Sequence, residues 1–149
     1  MQTSWLNAGK VLAIQLLFGT TFFLSAALKW SGGVPAWFLQ QFQATWLARS
    51  PGGLPAIFYF LALLETAGLR GCVASVVRLE FLRPSKTILR WTLVFALFVF
   101  VVLASGARLT GKFVVAADNL MYFIGALFCV WALSPALHMR ESIVVADVS

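Results

Sequence analysis

Four apolar runs, each about as long as a membrane is thick, constrain this chain more than any other feature of its sequence. They cover residues 10–30, 54–77, 86–107 and 113–133. Each is close to the roughly 20 residues that a helix needs to cross the ~30 Å hydrocarbon core of a bilayer. In that core, helices and closed barrels are the structures that satisfy their own backbone hydrogen bonds. The sequence therefore predicts an all-α fold, a four-helix transmembrane bundle that forms one integral membrane domain over residues 1–149.

The charged residues support this prediction and orient the bundle. They make up 11% of the chain, against about 25% in soluble domains. Lys and Arg accumulate in cytoplasmic loops, so we interpret the net charge of +6 as a topology signal and expect no nucleic-acid partner. Five basic residues cluster at the end of the second run and in the loop that follows it: Arg70, Arg78, Arg83, Lys86 and Arg90. We therefore expect a multi-pass protein of the bacterial cytoplasmic membrane, in contact with membrane lipids, with both termini inside.

The start of the chain has the outline of a signal peptide, because Lys10 precedes an apolar stretch with small residues at positions 25–27. The apolar character continues to Trp30, so we expect a retained span. Residues 35–49 (PAWFLQQFQATWLAR) are too short and too polar to cross the membrane. Large side chains recur there at helical spacing, which predicts an outer interfacial amphipathic helix, lying on the membrane or folded over the bundle mouth. The residues at this spacing are Phe38, Phe42, Thr45, Trp46 and Arg49.

Glu65 is the residue that most needs a physical explanation. It lies in the middle of the second run, roughly 16 Å from the start of that run at 1.5 Å per residue. A carboxylate at such a depth costs roughly 2.5–3.5 kcal/mol on insertion scales. Such a residue needs a partner, a proton or a function.

Helical spacing predicts a polar intramembrane cluster around Glu65 in the outer half of the bundle. One interpretation is structural, in which Lys29 or Arg108 neutralises Glu65 and fixes the helix register. The other is a quinone-related or proton-related pocket in which Glu65 exchanges protons. Gly68 and Gly71 either let neighbouring helices pack closely or leave space beside Glu65 for a flat ligand. The predicted cluster consists of Lys29, Glu65, Arg108, Asp118, Asn119 and Tyr122.

Sequence motifs of self-sufficient enzymes are absent. The one histidine, His138, lies in the tail beyond the fourth run, so paired-histidine haem ligation within this chain is excluded. The sequence has no CxxC, HExxH, phosphate-binding loop or GxSxG. Cys72 and Cys129 share a similar predicted depth, and we interpret them as two inert thiols rather than a reactive pair. We therefore predict no catalytic residues, no metal site and no cofactor of the chain's own.

Several short motifs together resemble the DoxX/MauE-like group of small four-span membrane proteins. The resemblance covers residues 11–134 and is carried by SAALKW (25–30), LALLETAG (61–68), SGARLTGKF (105–113) and DNLMYFIGAL (118–127). It implies a membrane subunit associated with quinone-linked redox systems, such as thiosulfate:quinone oxidoreductase, or with the maturation of periplasmic dehydrogenases.

From this resemblance we expect an accessory transmembrane subunit of a larger redox complex, with other membrane subunits as partners and quinone or lipid bound at its surface. Two other classes stay open: an assembly factor that never touches substrate, and a small proton-linked transporter or channel that uses Glu65 as its relay. The sequence departs from the family at Leu69-Arg70-Gly71, where further glycines are common, and in the long basic loop at residues 78–90.

Overall fold

The computed structural model describes residues 2–134, with side chains from residue 5 onwards. This part of the chain is helical, and no strand occurs in it, which confirms the predicted all-α fold. Four of the helices are long, and two short helical segments lie between the first and second of them. The elements are α1 (Gln2–Gly32), α2 (Ala36–Phe42), a 3-10 turn (Trp46–Arg49), α3 (Gly53–Val77), α4 (Thr87–Leu109) and α5 (Phe113–Ala132).

The long helices α1, α3, α4 and α5 are each apolar and long enough to cross a membrane. They coincide with the four predicted runs to within a few residues, except that α1 begins before residue 10. The chain is therefore a multi-pass membrane protein. Residues 135–149, which contain His138, lie outside the described residues.

The helices pack in the order α1–α3–α4–α5, so that α1 and α5 are not a closely packed pair. The centre of the bundle is filled by aromatic side chains of α1 and α4, above all Phe18, Phe22 and Phe100, with Cys72 of α3 beside them. Helix α5 is peripheral and has two buried residues, Ala116 and Ala126. Its other face exposes large apolar side chains, as a lipid-facing helix does.

The predicted interfacial helix over residues 35–49 is shorter than expected. Helix α2 ends at Phe42, and the 3-10 turn follows at Trp46–Arg49. The break falls at Thr45, whose backbone is extended and whose hydroxyl donates to the Phe42 carbonyl. Such side-chain to backbone bonds compete with helix continuation.

Of the two predicted positions for this segment, the structure has the one over the bundle mouth. Phe38 and Phe42 are buried against Phe58 and Leu54 of α3. This end of the bundle, which contains α2, is the α2 end. The opposite end, which contains the α3–α4 connection, is the loop end. Gly111 links α4 to α5 at the α2 end in a backbone conformation (φ 71°) that favours glycine.

Candidate functional site

A large apolar cavity lies at the α2 end, between α1, α3, α4 and α5, with α2 over it. Its volume is about 1080 Å³. The cavity lies where α1 and α5 do not pack closely, and the α2 rings Phe38 and Phe42 lie over it against α3. The Gln41 amide of α2 donates a 2.7 Å hydrogen bond to the Thr110 hydroxyl beyond α4, which fixes α2 across the mouth.

The cavity is open to the outside of the bundle. Leu28 of α1, Val101 of α4 and Val115 of α5 all line it, yet they are 72%, 49% and 49% exposed, respectively. An apolar opening of this kind between membrane helices faces the lipid. A lipid-soluble molecule therefore has a sideways route into the cavity.

An ion pair between Lys29 and Glu65 forms part of the cavity wall. The Lys29 ammonium donates to both Glu65 carboxylate oxygens at 2.8 Å and to the Ser25 hydroxyl at 2.8 Å. Lys29 reaches Glu65 from the last turn of α1, where the closely packed α1–α3 pair places them side by side. The Glu65 side chain is 3% exposed and that of Lys29 is 19% exposed. This is the partner that a carboxylate at this depth requires.

The structure brings one more residue of the predicted cluster to the cavity. Asn119 lines it from α5. Arg108 and Asp118 are exposed, line no part of this cavity and form no ion pair among the described residues. Tyr122 stacks on Phe100 with ring centroids 5.5 Å apart, so it belongs to the aromatic core at its lipid-facing edge.

Gly68 and Gly71, predicted as candidates for the side of a ligand, do not line the cavity and serve helix packing instead. A methyl group at Gly68 would lie 2.8 Å from the Phe22 ring. One at Gly71 would lie 2.3 Å from the Thr92 hydroxyl oxygen. The structure therefore favours the packing interpretation of these glycines, because α1 and α4 already fill the space beside them.

A second polar network, which was not predicted from the sequence, lies at the loop end. Buried Glu80 accepts backbone hydrogen bonds from Ile88 and Leu89 at the start of α4, each at 2.9 Å. It also accepts one from the Ser75 hydroxyl at 2.6 Å, and that hydroxyl accepts one from the buried Gln15 amide at 2.7 Å. Gln15 is a lone amide inside the first apolar run, so the reasoning that singled out Glu65 could also have found it.

The chemistry at Glu80 is that of a helix cap. The first N–H groups of a helix have no partner within it and carry a partial positive charge, which a carboxylate stabilises. Lys86 closes the same turn by donating to the Glu80 and Arg83 carbonyls. Burial lowers the pKa of the Lys86 ammonium, and the Glu80 carboxylate opposes this by raising it. The hydrogen bonds that the Glu80 carboxylate accepts thus come from Ser75, Ile88 and Leu89, so its acceptor positions are used by the fold itself.

An apolar layer separates the two polar regions. It contains the Phe100 ring, which packs against the rings of both Phe18 and Phe22, and the buried Cys72. Cys72 and Cys129 are both free thiols. Among residues 2–134, no group of His, Cys, Asp or Glu side chains could hold a metal ion.

No protein-family model, no curated protein and no solved structure matches this chain. The resemblance to the DoxX/MauE-like group therefore stays an expectation from the sequence. The described residues themselves show a multi-pass helical membrane protein with an apolar cavity at its α2 end.

Proposed function

We propose that this protein is an accessory transmembrane subunit of a membrane redox complex and that it holds a quinone-type molecule in the cavity at its α2 end. The observation that carries the proposal is the laterally open apolar cavity with the Lys29–Glu65 ion pair in its wall. In this proposal the α2 end faces the outside of a bacterial cytoplasmic membrane, and the basic α3–α4 loop lies inside, as the distribution of Lys and Arg favours.

The size and composition of the cavity support this ligand class. Small-molecule sites are typically about 300–1,000 Å³, mostly apolar, with a few polar groups that orient the ligand. The volume of about 1080 Å³ is slightly above this range. Aromatic and aliphatic side chains such as Phe38, Ile57 and Val102 form its walls. An amphipathic molecule with a ring head and an isoprenoid tail matches such walls and could enter from the lipid.

The polar groups also fit a quinone-type ring. When bound there, such a ring would supply electron and proton transfer, while this chain's residues would bind and orient it. Lys29 and Glu65 lie where a ring oxygen could reach them, and Asn119 and Gln41 add amide groups on other walls. Because the ion pair is neutral overall, it favours a neutral polar head over a charged one.

The apolar layer weighs against the alternative of a proton-linked transporter or channel. A proton path across the bundle would have to connect Glu65 with the Gln15–Ser75–Glu80 network. The rings of Phe18, Phe22 and Phe100 lie between them and offer no hydrogen-bonding group. A proton can therefore reach Glu65 from the cavity and has no polar route onward to Glu80 in this structure.

The exposed apolar face of α5 is compatible both with a complex subunit and with an assembly factor. Its large side chains, among them Val114, Met121 and Phe128, are more than 60% exposed. Lipid or helices of partner subunits would cover such a face. Ligand binding by the purified chain distinguishes the two roles, because an assembly factor has no need of a filled cavity.

The test is binding of decylubiquinone to the purified protein, with variants that fill the cavity. Val115→Trp places a large ring in the cavity, whereas Val114→Trp places the same ring on the outer face of α5, one residue away, where Val114 is 77% exposed and does not line the cavity. We expect Val115→Trp to abolish binding and Val114→Trp to leave it unchanged. Equal binding by wild type and both variants, or none by wild type, would overturn the proposal.

A further inference from the structure

We infer that the cavity prefers a ligand head that donates hydrogen bonds, so that of a quinone pair it holds the reduced quinol more tightly than the quinone. This inference rests on the proposed function and adds the chemical state of the ligand. It follows from the hydrogen bonds of Lys29 and Glu65, since Glu65 is the buried polar side chain among the residues that line the cavity.

The buried donor beside Glu65, the Lys29 ammonium, is already committed. Lys112 and Ser105 also line the cavity, but they are exposed, so a bond from them to a ligand carbonyl replaces one to solvent and gains little. A lysine ammonium has three protons and no acceptor site. Lys29 directs one to Ser25 and one to each carboxylate oxygen of Glu65, all at 2.8 Å. A carbonyl ligand could bind Lys29 only by replacing one of these bonds, two of which are charge-assisted and strong.

The acceptor that a hydroxyl needs is still available. A carboxylate has about four lone-pair positions. Among the described residues, the hydrogen bonds that Glu65 accepts come from Lys29, one to each oxygen. Glu65 is 2% exposed and lines the cavity. Unused acceptor positions of a buried carboxylate beside apolar walls are poorly solvated, so a ligand hydroxyl there would form a strong bond.

The two amides of the cavity are compatible with this preference. Gln41 uses its amide nitrogen on the Thr110 hydroxyl, and Asn119 uses its amide nitrogen on the Val115 carbonyl. Their carbonyl oxygens accept no hydrogen bond from the described residues. One proton of each amide is thus engaged within the protein, while the second proton and the carbonyl oxygen remain for a ligand, so the amides can bind a hydroxyl or a carbonyl and leave the preference to Glu65.

The lysine also decides against a cationic ligand head. Lys29 already neutralises Glu65, so an added ammonium group would face a like charge within the same site. A hydroxyl donates a proton without bringing a charge. The ion pair therefore favours a neutral, hydroxyl-bearing head on an apolar tail, which among quinone-type molecules is the quinol.

The test compares three ligands with one tail on the wild-type protein: decylubiquinol, decylubiquinone and the di-O-methyl ether of the quinol. The measurement is anaerobic titration calorimetry in detergent micelles, with ligand-free micelles as the blank. A hydrogen bond to a charged group corresponds to about tenfold or more in affinity, so we expect the quinol to bind at least about tenfold more tightly than either other ligand.

Variants assign the preference to the carboxylate. Replacing the pair by Lys29→Met with Glu65→Leu keeps the volume and leaves no buried charge, and we expect the dissociation constants of quinol and quinone to become equal. The matched control Asp118→Asn changes a carboxylate that does not line the cavity and should preserve the preference.

The outcomes separate this inference from the proposed function. Equal or tighter binding of the quinone by wild type would overturn the inference and leave the proposed function standing. A preference that survives in the double variant would also overturn it. If wild type binds none of the three ligands, both proposals fail. If the double variant does not fold, the comparison of the three ligands on the wild-type protein still tests the inference.

Discussion

The two ends of this bundle each bury one glutamate, and they satisfy it in opposite ways. Glu80 at the loop end accepts hydrogen bonds from two backbone N–H groups and one hydroxyl, in a packed region. Glu65 at the α2 end has one cation as its partner and lies beside a cavity of about 1080 Å³. A carboxylate whose acceptors are used by the fold stabilises the fold. One that retains acceptor positions beside open space can bind a ligand.

The comparison also shows why burial alone does not identify a functional residue. Both side chains are almost inaccessible, with Glu65 2% and Glu80 5% exposed. They differ in what surrounds them: the start of a helix for Glu80, and the gap between α1 and α5 for Glu65. The following variants test this difference, from the largest expected effect to the smallest.

Glu80→Ala should have the largest effect on stability. It leaves the Ile88 and Leu89 N–H groups and the Ser75 hydroxyl without their acceptor, and an unsatisfied buried donor costs about 1–3 kcal/mol. Since three donors are affected, we expect a loss of about 3 kcal/mol or more in the free energy of unfolding, measured by denaturant titration in detergent. Glu80→Gln keeps one oxygen acceptor and should lose less. Wild-type stability for Glu80→Ala would show that the cap contributes nothing.

Lys29→Met should have the next largest effect, because it leaves the Glu65 carboxylate without its cation. We expect a loss of about 2 kcal/mol, below the roughly 3–5 kcal/mol typical of a fully enclosed pair, because the Lys29 side chain is 19% exposed at the cavity. Lys29→Met with Glu65→Gln should be more stable than either single variant, as judged by unfolding in the same detergent. Purely additive losses would mean that the two side chains do not stabilise each other.

Gly71→Ala should destabilise the packed region between the two ends. The added methyl would lie 2.3 Å from the Thr92 hydroxyl oxygen, and overpacking of this kind costs about 1–2 kcal/mol. The matched control is Gly125→Ala on α5, where no atom lies within 4 Å. That change should be neutral or slightly stabilising, since alanine favours helix formation. Equal melting temperatures for the two variants would show that α3 and α4 are less closely packed than the structure indicates.

Thr110→Val should have the smallest effect and a local one. It removes the hydrogen bond from the Gln41 amide that fixes α2 over the cavity, at a cost of about 1 kcal/mol or less. We expect faster hydrogen exchange in residues 36–49 with little change in global stability. The control Thr20→Val replaces an exposed threonine of α1 and should leave this exchange unchanged. Unaltered exchange in Thr110→Val would mean that ring packing alone holds α2.

The sequence predicted the partner of Glu65 more successfully than the surroundings of the pair. An isolated carboxylate in the second run requires a cation, so the sequence left Lys29 and Arg108 as candidate partners. The structure has the ion pair with Lys29, which ends the first run. Arg108 and Asp118 were also predicted to join the cluster from their positions in the outer half of the bundle, yet both are exposed. Depth along a helix can be counted from the sequence, whereas the direction in which each helix faces depends on its neighbours.

By itself, the sequence determined the four spans, the all-α class and the need of Glu65 for a partner, because apolar length and the cost of an isolated charge are local properties. The tertiary structure decided the rest. Close packing of α1 on α3 and of α3 on α4 fills the space beside Gly68 and Gly71, while the gap between α1 and α5 leaves a cavity at Glu65. Whether a helix face meets another helix, lipid or open space depends on the arrangement of all four helices.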